Sequence, residues 1–246
     1  MTFDLIINIL QLIIIAIALY FLGRYFRSLF LENKFMPESW KYAVRNNKIS
    51  SELNKYQRSF KDKIRFYNIW LQIERIKKEN VKGCFAELGV YKGETAKLIH
   101  LCEPEREFLL FDTFEGFKQS DLENESGEAA EYTTKNFADT SLEKVKIFIK
   151  GNSNVNYFKG YFPESVHGLE SKKFAFVNID ADLYIPIKAG LEFFYPKLSK
   201  GGVIIIHDYN PKWEGAMKAV DEFAIENNIS TIPVPDSQNS IILLKF

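Results

Sequence analysis

Acidic side chains and one histidine stand where short apolar runs of this chain end. Glu87, Gly89 and Gly93 fall in "FAELGVYKGETA", and Asp112 closes "EFLLFD". Asp180 and Asp182 close "FAFVNIDAD", and His207 and Asp208 close "GGVIIIHD". A charged group at the end of a buried run is costly to desolvate, so such a cluster calls for a ligand or an internal partner. Gly89 and Gly93 let the backbone come close to a ligand. A dinucleotide-binding turn would carry glycine at 87, 89 and 92. Here 87 is Glu, 92 is Lys and the next glycine comes one place late.

The carboxylate of Glu87 would repel a pyrophosphate and attract a cationic ligand. Asp112, at the end of the next run, is placed to accept hydrogen bonds from both hydroxyls of an adenosine ribose. An adenosine with a cationic tail and no phosphate describes S-adenosylmethionine, whose sulfonium and ammonium suit Glu87. The plainer alternatives are a tight turn for the glycines and a turn or helix cap for Asp112.

These residues need a scaffold, and the pattern supplies one. Strands are predicted over 84–90, 107–111, 155–161, 174–179 and 202–206. Helices are predicted over 94–101, 141–149 (capped by Thr140 or Ser141), 187–195 and 215–226. Residues 60–80 read as an amphipathic helix, and 229–234 and 241–246, joined by "PDSQN", as a closing hairpin. Such alternation implies an α/β fold: a Rossmann-like, doubly wound, mostly parallel sheet with a C-terminal antiparallel hairpin. Ligands of such sheets lie beyond the carboxyl ends of the strands, where the residues above stand. Tyr161 and Phe162, after the third strand, are placed to flank an adenine or to pack in the core.

The segments "FAELGVYKGETA", "FDTFEGF", "NYFKGYFPES", "NIDADLYIPIKAGLEFFYPKLSKGGVIIIHDYN" and "KAVDEF" resemble, in this order over residues 60 to 246, the macrocin O-methyltransferase family. These are class I S-adenosylmethionine enzymes that methylate sugar hydroxyls of macrolides and related glycosides. The resemblance implies a magnesium ion held by the first Asp of D-x-D and by two adjacent acids after the next strand. Carried over, Asp180 and Asp208 match two of these positions, and His207 occupies the third. Imidazole is a poor magnesium ligand and a fair one for manganese, iron or zinc. His207 therefore has three open roles: metal ligand, general base on the acceptor hydroxyl, or hydrogen-bonded structural residue. With Asp180 it is the expected catalytic pair. The acidic segment 114–139 is a lid over the acceptor in the resembled family, or else a solvated loop.

The first 23 residues differ in kind. Residues 5 to 22 contain no charge and are mostly Ile and Leu, which suits a bilayer-spanning helix. A cleaved signal peptide fits less well, because Asp4 precedes the apolar run without any Lys or Arg. Arg24, Arg27 and Lys34 follow it, so the positive-inside rule places the body in the cytoplasm, as a single-pass membrane protein. Three regions follow: an anchor over 1–23, a basic juxtamembrane linker over 24–59 and a methyltransferase domain over 60–246. The linker could rest on anionic lipid or stand in solvent.

Acidic and basic residues balance at 32 each, which removes the electrostatic case for a nucleic-acid partner. Cys84 and Cys102 have no zinc-type spacing and read as reduced thiols. The expected partners are thus the membrane and a small-molecule or lipid-linked glycan acceptor, with a homo-oligomer left open. The rival functions are a nicotinamide-dependent oxidoreductase, disfavoured by Glu87, and a catalytically silent membrane-tethered scaffold.

Overall fold

The computed structural model of the chain describes residues 3–32, 36–123 and 125–246, so Lys34 of the basic linker lies outside the described residues. The chain forms two compact units, Met1–Lys48 and Ile49–Phe246.

In the first unit, helix α1 (Phe3–Glu32) has no polar face to turn towards water, because Ile and Leu fill consecutive positions. Its stretch Leu5–Arg27 has a mean hydropathy of 2.7 and is exposed along its length. Its 23 residues reach about 35 Å at 1.5 Å per residue, long enough to cross a hydrocarbon core of about 30 Å. A short helix, α2 (Glu38–Arg45), follows.

The second unit opens with α3 (Ser51–Ser59), capped by the Ser50 hydroxyl, which accepts the Leu53 N–H at 3.1 Å. This unit therefore takes in residues ahead of position 60, where the sequence placed the domain boundary. Helix α4 (Lys63–Lys78) is capped by Asp62, which accepts the Arg65 N–H at 2.9 Å. The other Asp62 oxygen accepts the Ser237 N–H at 2.7 Å, tying this cap to a turn far along the chain.

A seven-stranded sheet follows, built from β1 (Cys84–Leu88), β2 (Phe108–Asp112), β3 (Val155–Lys159), β4 (Phe174–Ile179), β5 (Leu198–Ile206), β6 (Thr231–Val234) and β7 (Ser240–Leu244). Its order is β3-β2-β1-β4-β5-β7-β6. The first five strands are parallel, and β7 runs antiparallel between β5 and β6. The hairpin thus adds two strands, the last of the chain lying inside the first. Helices α5 (Glu94–Cys102), α6 (Gln119–Leu122), α7 (Leu142–Ile149), α8 (Tyr184–Phe194) and α9 (Glu214–Glu226) connect and flank the sheet. The predicted elements are all present in type and order, whereas α2, α3 and α6 were not predicted. The ends differ most at β5, which begins at Leu198, and at α8, which begins at Tyr184 because Pro186 costs nothing in a first helical turn.

Strand parity decides which side chains meet. Alternate residues of a strand face opposite ways. Ala86 and Leu88 of β1, Val177 and Ile179 of β4, and Ile204 and Ile206 of β5 join one core with Ile187, Leu191 and Phe194 of α8 and Ala216, Val220 and Phe223 of α9. Glu87, Asn178, Asp180 and His207 are therefore set towards the other face, where α4 brings Arg65. The register completes the alignment: Glu87 pairs with Asn178, and Ile179 with Ile206, so Asp180 ends beside His207.

Candidate active site

A cavity of about 460 Å³ opens over the carboxyl ends of β1, β2, β4 and β5, where the sheet order reverses between β1 and β4. Glu87, Gly89, Asp112, Tyr161, Asp180, His207 and Asp208 all line it, and Gly93 does not. Gly93 instead begins α5 in the left-handed region at φ 83°, and a Cβ there would press on Val145 and Ile149 of α7 at 3.1–3.2 Å. Gly89, at φ 84°, has a similar constraint, since a Cβ would strike the Asp180 carbonyl. Both glycines are demanded by protein packing. Of the two, Gly89 alone lines the cavity.

Glu87 is 1% exposed. Its Oε1 accepts Asn178 Nδ2–H at 2.9 Å, and its Oε2 has no hydrogen-bond partner. Burial, then the negative charge of Asp180, pushes this carboxyl well above the usual carboxylate range, against the pull of Arg65. A buried carboxyl in this state resists ionisation in the empty cavity, and a cation that enters would favour its charged form.

Asp112 fills one of the roles left open for it, that of a turn cap. Its Oδ2 accepts the Val90 and Tyr91 N–H groups at 2.7 and 2.8 Å, and its Oδ1 accepts the Phe114 N–H at 2.6 Å. It thus fastens the glycine turn. Oδ1 keeps spare accepting capacity towards the cavity.

At the ends of β4 and β5 the charges are paired among themselves. Arg65 Nη2 donates to Asp180 Oδ2 at 2.6 Å. His207 Nδ1 lies 3.0 Å from both Asp180 Oδ1 and Asp208 Oδ2. Neither oxygen is in line with the ring N–H, so these are charge contacts without a formed hydrogen bond. Burial works to lower the imidazole pKa, but the Asp180 carboxylate overrides it and pushes it up to about 10. Burial likewise opposes ionisation of Asp180, whose carboxyl is nevertheless held well below the usual range by Arg65 and His207. For Asp182, burial and the charges of Asp208 and Asp180 push the carboxyl well above it. Asp182 and Asp208 both adopt positive φ, 60° and 61°. Such backbone is uncommon outside glycine and concentrates at functional sites.

Asp180, His207 and Asp208 each offer one ligand atom within 4.8 Å of the others, a spacing that one metal ion can bridge. An oxygen–nitrogen–oxygen set with an unpartnered buried imidazole nitrogen fits a divalent ion of intermediate softness better than magnesium.

Tyr161 donates its hydroxyl to Asp121 Oδ1 at 2.7 Å, and Lys118 Nζ lies 3.4 Å from its ring centroid. The acidic segment is folded onto the domain. Glu125 Oε1 accepts the Tyr184 N–H at 2.7 Å, Ser126 donates to Glu214 at 2.6 Å, and Tyr132 packs between Phe117 and Trp213. Tyr132 and Trp213 form an aromatic wall beside Asp182 and Asp208. The two cysteines are free and buried, well away from this chemistry.

The sequence reading missed Arg65, Asn178, Tyr132 and Trp213. A signal existed for Arg65, which falls on the α4 stripe otherwise made by Ile69, Ile73 and Ile76. Asn178 gave one too, as a polar residue within the fully buried run of β4.

The strand order, the single antiparallel strand and the strand-end site define the class I methyltransferase fold. The chain belongs to the macrocin-O-methyltransferase (TylF) family, whose model it matches over residues 33–237. It is similar to the 8-demethyl-8-(2,3-dimethoxy-alpha-L-rhamnosyl)-tetracenomycin-C 4'-O-methyltransferase of Streptomyces olivaceus, with 25% identity over 156 residues, 59% of this chain and 60% of that protein. The match thus spans three fifths of that relative's length. Among solved structures, the O-methyltransferase NovP superposes with a TM-score of 0.65 at 23% identity, over 74% of this chain and 80% of its own. The calicheamicin methyltransferase CalS11 superposes with a TM-score of 0.58 at 22% identity, over 88% and 89% of the two chains. Relative and neighbours alike are methyltransferases, and the structural likeness establishes the fold.

Proposed function

We propose that this protein is an S-adenosylmethionine-dependent O-methyltransferase acting on a sugar hydroxyl. The observation that carries the reading is the unpartnered, buried Glu87 carboxylate beside Gly89 and Asp112, facing the acid–histidine centre across one cavity. The donor's cationic tail lies at Glu87, its ribose at Asp112 and its adenine against Tyr161. The acceptor lies on the far side, between Asp180, His207 and Asp208 and the aromatic wall of Tyr132 and Trp213. Aromatic faces and strand-end acids suit a sugar ring, and the Streptomyces relative is named for a rhamnosyl substrate.

Transfer moves the methyl group from sulfur to the acceptor oxygen, breaking one C–S bond, forming one C–O bond and releasing the hydroxyl proton. The protein must align the two atoms, keep water out and receive that proton. With no cation bound, His207 between two carboxylates holds its proton and cannot serve as general base; a cation bound there would displace that proton. A divalent cation on Asp180, His207 and Asp208 would make the acceptor hydroxyl more acidic.

The helix over Leu5–Arg27 anchors the enzyme in a membrane, with the catalytic unit on the cytoplasmic side. An anchored enzyme suits an acceptor that is itself lipid-linked. Calorimetry on the full-length protein in detergent tests the reading. S-adenosylhomocysteine should bind, and manganese should bind the wild type but not His207→Ala. Binding of a nicotinamide dinucleotide in place of S-adenosylhomocysteine would establish the oxidoreductase instead.

A further inference from the structure

The charges of this chain cancel overall, yet they are sorted between the two helical layers of the second unit. On one face of the sheet, α3 packs on α5 and α5 on α7. Lys55 and Arg58 of α3, Lys144 and Lys146 of α7, and Lys150 at the α7 C-cap are all exposed. Among the described residues none of these five cations forms an ion pair. The acids of the three helices are Glu52, Glu94 and Glu143, and Glu52 already lies 3.8 Å from Lys97. On the other face, α8 and α9 carry Glu192, Glu214, Asp221, Glu222 and Glu226 against Lys188 and Lys218, and both lysines contact Glu222. One layer is therefore basic and the other acidic.

Helix α7 adds an apolar element to the basic layer. Val145 and Ile149 turn inward, while Ile147 and Phe148 between them are 72% and 38% exposed. Lys144, Lys146 and Lys150 surround the pair, and Lys97 Nζ lies 5.1 Å from the Phe148 ring centroid. A single exposed apolar residue needs no explanation. An Ile–Phe pair set among unpaired lysines has the make-up of an interfacial helix, whose apolar side chains enter the acyl boundary while its cations meet lipid phosphates.

Resting on the anchor reading above, we propose that the face formed by α3, α5 and α7 docks on an anionic phospholipid surface, with Ile147 and Phe148 as its apolar contact. The chain that follows Leu5–Arg27 joins the second unit at α3, which belongs to this layer. The same layer borders the cavity. Tyr91 and Lys92, just ahead of α5, line it, and Tyr91 is hydrogen-bonded to Asp139 and Thr140, just ahead of α7. An anchor limits how far the enzyme strays from the membrane, and this face sets its orientation. Docking brings that rim of the cavity beside the headgroups, where the sugar of a lipid-linked acceptor stands.

The test attaches a polarity-sensitive fluorophore to Ile147→Cys in the full-length protein, or to Ile225→Cys of α9, which is 80% exposed on the acidic layer. Cys84 and Cys102 are buried, so the new thiol takes the label. Each protein is placed in nanodiscs of phosphatidylcholine, with or without phosphatidylserine, that contain a nitroxide-bearing lipid as quencher. With phosphatidylserine, the label at 147 should shift blue and be quenched, and the label at 225 should not change. Sodium chloride at about 0.5 M, where the Debye length falls to about 4 Å, should reverse the effect. Lys144→Glu combined with Lys146→Glu should lower the ratio of docked to undocked protein by at least about 10-fold. The same variant should keep its affinity for S-adenosylhomocysteine within about 2-fold, which shows that it folds. No quenching at 147 in the anionic discs, or equal quenching at 147 and 225, overturns the docking face while leaving the anchor in place. Wild-type protein that stays out of the discs overturns both. Detergent-solubilised protein that binds a short DNA duplex through the same two lysines, with position 147 unquenched in the discs, assigns the face to nucleic acid and also overturns the proposal.

Discussion

At the end of β1 a single buried carboxylate, Glu87, has one oxygen on Asn178 and the other on nothing, whereas across the cavity each oxygen of Asp180 meets a cation. Both groups end apolar strands and both lie on the same face of the sheet. They differ in who completes them. Asp180 is neutralised by Arg65 and His207 from within the protein, and its folded-state carboxyl stays charged. Glu87 faces two carboxyls, Asp180 and Asp112, against one guanidinium, Arg65, and keeps one oxygen without a partner. On the proposed reading, the comparison separates a part of the site that holds the fold from a part that binds the donor.

The strongest way to break this contrast is Asp180→Ala. It strands the Arg65 guanidinium and removes one of the two carboxylates on His207, and uncompensated burial of one partner of an ion pair costs about 3–5 kcal/mol. The variant should unfold at clearly lower urea concentration and lose methyl transfer to any glycoside acceptor that the wild type turns over. An unchanged urea midpoint would show that the Arg65–Asp180–His207 group holds little of the fold together.

Glu87→Gln should do the reverse. It keeps the shape and the bond to Asn178 but removes an acid whose ionisation the ligand-free fold opposes, so ligand-free stability near neutral pH should rise by about 1–3 kcal/mol. Affinity for S-adenosylhomocysteine should meanwhile fall about 10- to 100-fold. Urea titration and calorimetry on the same preparation read both. A variant that loses stability and keeps its affinity would place Glu87 with Asp180, as a structural charge.

The same variant carries a pH signature. The folded-state pKa of Glu87 is raised above its ordinary 4.5. An acid with a raised pKa destabilises the fold only where the unfolded chain is ionised and the folded one resists ionisation. The stability advantage of Glu87→Gln should therefore vanish below about pH 4.5, grow as pH rises through the folded pKa, and then level off. Urea midpoints of both proteins across that window check the sign, and an advantage that shrinks as pH rises would contradict it.

This contrast was half legible in the sequence. Short apolar runs ending in Glu87, Asp112, Asp180 and His207 mark strand ends, and strand ends of a doubly wound sheet converge on one crevice whatever the loops do. The identity of each partner was not legible. Arg65 reaches Asp180 from 115 positions away, and helical periodicity says that position 65 is buried without saying what it faces. Gly93 resembled a ligand-contacting glycine because a positive φ reads the same from sequence whether the space is needed by a cofactor or by Ile149 of α7. The left-handed backbone of Asp182 and Asp208 left no mark either, since aspartate adopts that region with little local signal.

The smallest expected effect lies at the adenine end and asks whether binding there uses a face or a hydroxyl. Tyr161 presents an aromatic ring to the cavity and spends its hydroxyl on Asp121, with Lys118 against the ring. Tyr161→Phe removes only that hydrogen bond. It should lower stability by about 0.5–1.5 kcal/mol, more if Asp121 is left buried without a partner, and leave S-adenosylhomocysteine affinity within about 3-fold of wild type. Tyr161→Ala removes the ring as well and should cost about 1–3 kcal/mol of binding, the range for a base stacked on an aromatic side chain. If Phe and Ala weaken the ligand alike, the hydroxyl and Asp121 carry the contact, and this end of the cavity resembles the Glu87 end in recognising its ligand through polar groups.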